Sequence, residues 1–201
     1  LLPAALLAAV LLGACTSEPS SADEAPARAS RVPEIGSSIV VGGRHVWIGA
    51  PVVLWFDPQG YDGYSTELCF PEEPSATPAW EPPSGLRYEP GRKTERGRAT
   101  RRSPLAQIAA LVDQLVLHYD ACGTSRQCFK VLHDRRGLSV HFLLDVDGTL
   151  YQTLDLAETA WHAREANPRS VGVEIASIGA HAPGAEPLEA WYAEDEQGVH
   201  L

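Results

Sequence analysis

The amino-acid sequence predicts an α/β domain built on a mixed central β-sheet flanked by helices, with its C-terminal part missing. Three observations lead there. Apolar, β-rich runs recur at residues 115–118, 140–145, 150–153 and 171–176. Segments with helical spacing lie before and after the first of these runs. An Asp147-Gly148 pair separates the second from the third, a strong short-range signal for a tight hairpin. The resulting order is helix, strand, helix, hairpin, strand.

Each element has its own local reason. Ser103 is a suitable N-cap, with Pro104 at the first helical position, and Ile108, Leu111, Val112 and Leu115 mark one apolar face. Residues 115–118 then read as a strand. Residues 127–135 form a short helix with Phe129 and Leu132 inward, stopped by Gly137. The last strand is 171–176. Upstream, 40–41 and 46–56 carry β-branched and aromatic residues broken by Gly and Pro, which suggests short strands or irregular structure. Residues 57–64 are a turn-rich loop. From 70 to 103 prolines and arginines dominate without period, as in a long loop or insertion. No internal repeat is visible.

At 201 residues, 44% of them hydrophobic, the chain has room for one domain and a tail. We divide it into a leader at 1–15, a disordered tether at 16–36, an irregular segment of uncertain structure at 37–103 and, at 104–201, the N-terminal part of the α/β domain. Residues 1–14 are apolar and small, the length of a signal-peptide core and too short to span a bilayer comfortably. They end in Leu12-Gly13-Ala14-Cys15, which resembles a bacterial lipobox; a plain secretory signal or an apolar helix is the alternative. Acylation of Cys15 would anchor the protein to the bacterial cell envelope, facing the periplasm or exterior. Methionine is absent, even at position 1, and the acidic C-terminus closes no element, so truncation at both ends is expected.

The net charge of −10 argues against a nucleic-acid partner. Between Arg87 and Arg102, however, seven basic residues face two acidic ones. That stretch reads as a solvated, mobile loop, with contact to an anionic envelope polymer as the alternative. Cys122 and Cys128 are spaced for a short disulfide loop, or are two reduced, buried thiols.

The chemistry concentrates between residues 114 and 177. His118 follows Leu-Val-Leu, His141 precedes Phe-Leu-Leu-Asp, and Glu174 sits inside Val-Gly-Val-Glu-Ile-Ala, with Trp161-His162 between. A His or Glu in a buried strand is costly without a partner or a task. His141 reads as a packing histidine, and His133, beside Asp134, as an exposed one.

Five pieces in order carry a family resemblance: Leu117-His118-Tyr119, Ser139-Val140-His141-Phe142, Asp145-Val146-Asp147-Gly148-Thr149-Leu150-Tyr151, Ala160-Trp161-His162-Ala163 and Val171-Gly172-Val173-Glu174-Ile175-Ala176. Together they resemble the zinc-dependent N-acetylmuramoyl-L-alanine amidases, the superfamily of phage lysozyme-type amidases, muropeptide-recycling amidases and peptidoglycan recognition proteins. The resemblance implies hydrolysis of the bond between N-acetylmuramic acid and L-alanine in peptidoglycan or muropeptides. It implies His118 as a Zn2+ ligand and Glu174 as the carboxylate acting on water. It places Trp161, His162 and Tyr119 along the substrate cleft, with His162 able to donate a hydrogen bond to an oxyanion. Val140 stands where phage-type members have Tyr, which moves the chain toward members relying on the Glu. The family's remaining zinc ligands, a His and then an Asp or Cys, are expected beyond Leu201; His181 and His200 lack a partner at ligand spacing. The alternative is a non-catalytic peptidoglycan-binding module of the same fold.

Overall fold

The computed structural model describes residues 36–71 and 83–200. The leader with Cys15 and residues 16–35 of the expected tether lie outside the described residues, whereas Gly36 already opens the first strand. The strands are β1 (Gly36–Val41), β2 (Arg44–Leu54), β3 (Tyr88–Glu89), β4 (Arg92–Thr94), β5 (Gly97–Ala99), β6 (Gln114–Tyr119), β7 (Phe142–Leu144), β8 (Leu150–Gln152), β9 (Thr159–Ala160), β10 (Ser170–Ile175), β11 (Ala193–Asp195) and β12 (Gly198–His200). The α-helices are α1 (Leu105–Leu111), α2 (Ser125–Phe129) and α3 (Glu186–Trp191). A π-helical turn, Lys130–Arg135, continues α2, and a 3-10 helix spans Arg164–Arg169.

Six strands form one mixed sheet in the order β1-β2-β8-β7-β10-β6. The predicted hairpin is β7 with β8, antiparallel, and β10 runs parallel to both β7 and β6. The segment 37–103 is not a separate irregular piece. Its β1 and β2 form a hairpin around Gly42 and Gly43, whose φ angles of 60° and 69° suit a two-residue turn with both residues left-handed. β2 then pairs parallel with β8, so the sheet continues across position 103.

The pleat gives the sheet two unlike faces. One gathers Val52, Leu54, Phe142 and Val171 under Ile108 and Leu111 of α1. The other gathers Leu143 and Val140 with Phe129, Cys128 and Tyr61. β6 is an edge strand, so Leu115 and Leu117 are exposed rather than buried as a run of that composition suggests.

Buried polar side chains act as staples, and several overturn expectations. Ser103 does not cap α1; its Oγ accepts from the Thr100 backbone N–H at 3.0 Å, and α1 starts without a side-chain cap. The cap appears instead at α2, where Thr124 accepts from Gln127 N. His133 is buried, not exposed: its ring meets Asp134 at 2.7 Å and the Ser65 carbonyl at 3.0 Å. The basic stretch is a solvated loop only in part: Lys93, Arg96, Arg98, Arg101 and Arg102 are exposed, but Arg87 and Arg92 are buried. Arg87 donates to the carbonyls of His133, Ser65, Gly85 and Pro83, and Arg92 to those of Leu156, Asn167 and Pro168. Such forks satisfy the carbonyls of turns that lack strand partners. Cys122 and Cys128 are free thiols rather than a disulfide, Cys128 buried and Cys122 half-buried.

Asp155 holds the β1–β2 turn to the sheet. Its carboxylate accepts from Gly42 N and Gly43 N, both at 2.7 Å, and from Ala157 N at 2.8 Å. Asp155→Ala strands these donors and should cost about 3 kcal/mol, a fall in Tm of roughly 10 °C by thermal denaturation. Asp155→Asn, which keeps one acceptor, should fall less.

Candidate active site

The site forms where β6 and β10 end side by side. Their parallel register sets Glu174 opposite His118, on the same face of the sheet. Two residues earlier on that face lies Gly172, and a Cβ there would come within 2.7 Å of the His162 ring. The missing side chain lets the imidazole rest against the strand. His162 Nδ1 lies 3.1 Å from His118 Nε2, and its Nε2 lies 3.2 Å from Ser170 Oγ.

The loop carrying His162 is fixed from both ends. Upstream, β9 pairs with β3, and Trp161 N donates to Ser139 Oγ at 2.9 Å. Downstream, Asn167 Oδ1 accepts from both His162 N and Ala163 N. Beneath the loop, His141 is fully buried, as expected of a packing histidine. Its Nδ1 accepts from Gly172 N, which places the ring proton on Nε2, facing the Glu158 carbonyl at 3.2 Å. The Arg92 guanidinium lies against the same nitrogen.

Electrostatics keep the paired imidazoles neutral. Burial, then His118, then Arg92 push the His162 pKa down to about 4. Burial also lowers that of His118. Glu174 goes the other way: burial and the neighbouring Asp120 raise it to about 7, opposed by Arg136. Asp120 accepts from Cys122 N and Ser177 N through Oδ1, while its buried Oδ2 has no hydrogen-bond partner.

A cavity of about 610 Å³ opens over these groups. His118, Tyr119, Asp120 and Glu174 form one side, and the end of the π-helical turn with Arg135 and Arg136 the other. Of the residues read from sequence as cleft-lining, Tyr119 lines it; Trp161 and His162 do not, and His162 lies against His118. The sequence reading missed Gln127, Cys128 and Arg136 as cavity wall. The one signal for Arg136 was its position just before the helix stop at Gly137, which has a left-handed φ of 63°.

Whether these residues suit zinc can be tested on the donor set. Two nitrogen ligands of a tetrahedral zinc with bonds of about 2.0–2.1 Å stand roughly 3.3 Å apart, close to the 3.1 Å between His118 and His162. Neutral imidazoles are the right form. The pair thus fits two corners of a site. A catalytic zinc takes three protein ligands, and among the described residues no third His, Cys or carboxylate completes a cluster with this pair. His181 donates to the Ile178 carbonyl and His200 pairs with Asp195. Cys69, His133 and Asp134 do bring three donors within 4.8 Å. Their capacity is already engaged: both His133 nitrogens are bonded, and the Asp134 oxygens accept from Cys69 N and Phe70 N. That cluster pins the loop at 65–70 to the π-helical turn.

No curated protein matches the chain. A family model does, over residues 108–196, described as N-acetylmuramoyl-L-alanine amidase. The matched region runs from within α1 to just past β11 and contains His118, His162 and Glu174. Over this region the chain is similar to the N-acetylmuramoyl-L-alanine amidases.

Proposed function

We propose that the protein hydrolyses the amide bond between N-acetylmuramic acid and L-alanine in peptidoglycan or muropeptides, with Zn2+ as cofactor. Peptidoglycan amidase-type hydrolysis follows from the family; the bond and the metal are our reading. The observation that carries it is the register placing Glu174, with its pKa near 7, opposite His118 at the cavity. His118 would hold the metal, and His162 supplies a second neutral nitrogen beside it. Zinc, when bound, supplies Lewis acidity toward the amide carbonyl and toward water.

Glu174 moves the proton. With a pKa near 7 it is divided between its two forms at neutral pH, so it can take a proton from water and return it to the departing amine. An ordinary carboxylate would be too weak a base for the first step and would hold no proton for the second. The cavity beside Glu174, walled in part by Tyr119, leaves room for the peptide on the departing side of the bond. On this reading Cys15 carries a lipid anchor at the cell envelope, supported by the sequence at 1–15. Among the described residues no helix is long and apolar enough to cross a membrane.

Muropeptide release by the complete protein tests the function. Glu174→Gln should lower kcat/KM by about 100-fold or more. Because the base must be ionised, wild-type kcat/KM should rise as pH rises through about 7, and the variant should lose that limb. His118→Ala should lose bound zinc by metal analysis along with activity. Full activity in both variants would refute the mechanism, and muropeptide binding without turnover in the wild type would indicate a binding module. Gly172→Ala drives a methyl group into the His162 ring. It should reduce activity by about 10- to 100-fold while the far-ultraviolet circular dichroism stays that of the wild type.

A further inference from the structure

We infer that Arg136 reads a carboxylate of the substrate, the α-carboxylate of the second stem-peptide residue, and so sets which peptidoglycan chemistry the enzyme accepts. The inference rests on the amidase reading for its substrate. Its starting point is a contrast among arginines. Arg87 and Arg92 are buried and saturated by carbonyls, and Arg126 lies over the Phe70 ring at 4.3 Å. Arg136 differs. It follows the last residue of the π-helical turn, its backbone N–H is spent on the Val131 carbonyl, and its exposed side chain lines the cavity. Among the described residues, no hydrogen bond or ion pair engages its guanidinium.

The cavity is therefore bipolar. One side holds His118, Glu174 and Asp120, and the other holds Arg136. Scission happens at the first side, and the amine that leaves belongs to L-alanine. The next negative charge along the leaving peptide is the α-carboxylate of D-glutamate when that group is free. It lies within two residues of the scissile nitrogen, a reach of about 7 Å, which a cavity of about 610 Å³ accommodates. A guanidinium can grip a carboxylate through two parallel hydrogen bonds. Amidation of that carboxylate, a common difference between peptidoglycans, removes the charge and one acceptor while barely changing shape. Arg136 is thus placed to separate the two chemistries.

The test uses two N-acetylmuramoyl-L-alanyl-γ-D-glutamyl-L-lysine ligands, one with the D-glutamate α-carboxyl free and one with it amidated. The full-length protein should show a KM about tenfold or more lower for the free acid. Arg136→Gln should raise KM for the free acid to the level of the amide while KM for the amide changes little, and Arg136→Lys should recover part of the difference. Calorimetry on Glu174→Gln protein, with and without Arg136→Gln, reads the same preference as Kd without turnover. If neither ligand is hydrolysed but the acid preference appears in Kd and vanishes with Arg136→Gln, the hydrolytic reading falls and the carboxylate site stands. Equal handling of the two ligands by the parent protein overturns the proposal. So does equal weakening of both by Arg136→Gln, or no binding of either.

Discussion

The parallel pairing of β6 with β10 is the constraint on which the rest of the site depends. It sets Glu174 beside His118, and the two-residue period then brings Gly172 to the same face. A slip of one residue would turn Glu174 into the face occupied by Val171 and Val173 and would put a valine where His162 needs a gap. Register on this strand is specified from both sides. Val171 is buried against the α1 face, and Leu143 of the neighbouring β7 sits in the opposite core. The catalytic geometry is therefore a by-product of ordinary hydrophobic alternation. The glycine is its one concession to function.

Behind that strand, buried cations do what a larger apolar core would otherwise do. Arg92 reaches from β4 to carbonyls on both sides of the His162 loop and lies against His141. Removing a partner from such an array leaves charge or dipoles unsatisfied in a low-dielectric interior, so the array holds the loop in one arrangement. The same positive charge is among the causes that depress the His162 pKa. The segment around residues 87–102 thus shapes the site without touching the cavity. Glu158 closes the arrangement, accepting from Gly91 N and pairing with Arg101 at 2.8 Å.

This explains what could be read in the sequence and what could not. The strands at 115–118 and 171–176 and the Asp147-Gly148 hairpin announce themselves through local periodicity and turn chemistry, and His118 and Glu174 stand out as polar residues within apolar runs. The contribution of 37–103 was hidden because its signals are non-local. An arginine in a proline-rich stretch looks solvated until the carbonyls it satisfies, 64 to 76 residues away, are brought to it. The same holds for His133, whose burial depends on the loop at 65–70. The Gly42-Gly43 hairpin was legible in principle and was obscured by the irregular sequence that follows it. Arg136 carried no periodic signal at all, since its role follows from where a helix happens to end.

The opposed walls of the cavity also bear on how Glu174 can serve both halves of a hydrolysis. In the free protein its proton affinity is raised by burial and Asp120 and held back by Arg136. A carboxylate resting on Arg136 offsets the charge that holds it back. Substrate binding would then shift Glu174 toward its protonated form as the reaction moves from activating water to protonating the leaving amine. The direction follows from Coulomb's law alone, since neutralising a nearby cation always raises a carboxylate's pKa. One arginine would in this way couple recognition of the peptide to the proton balance of the step that releases it.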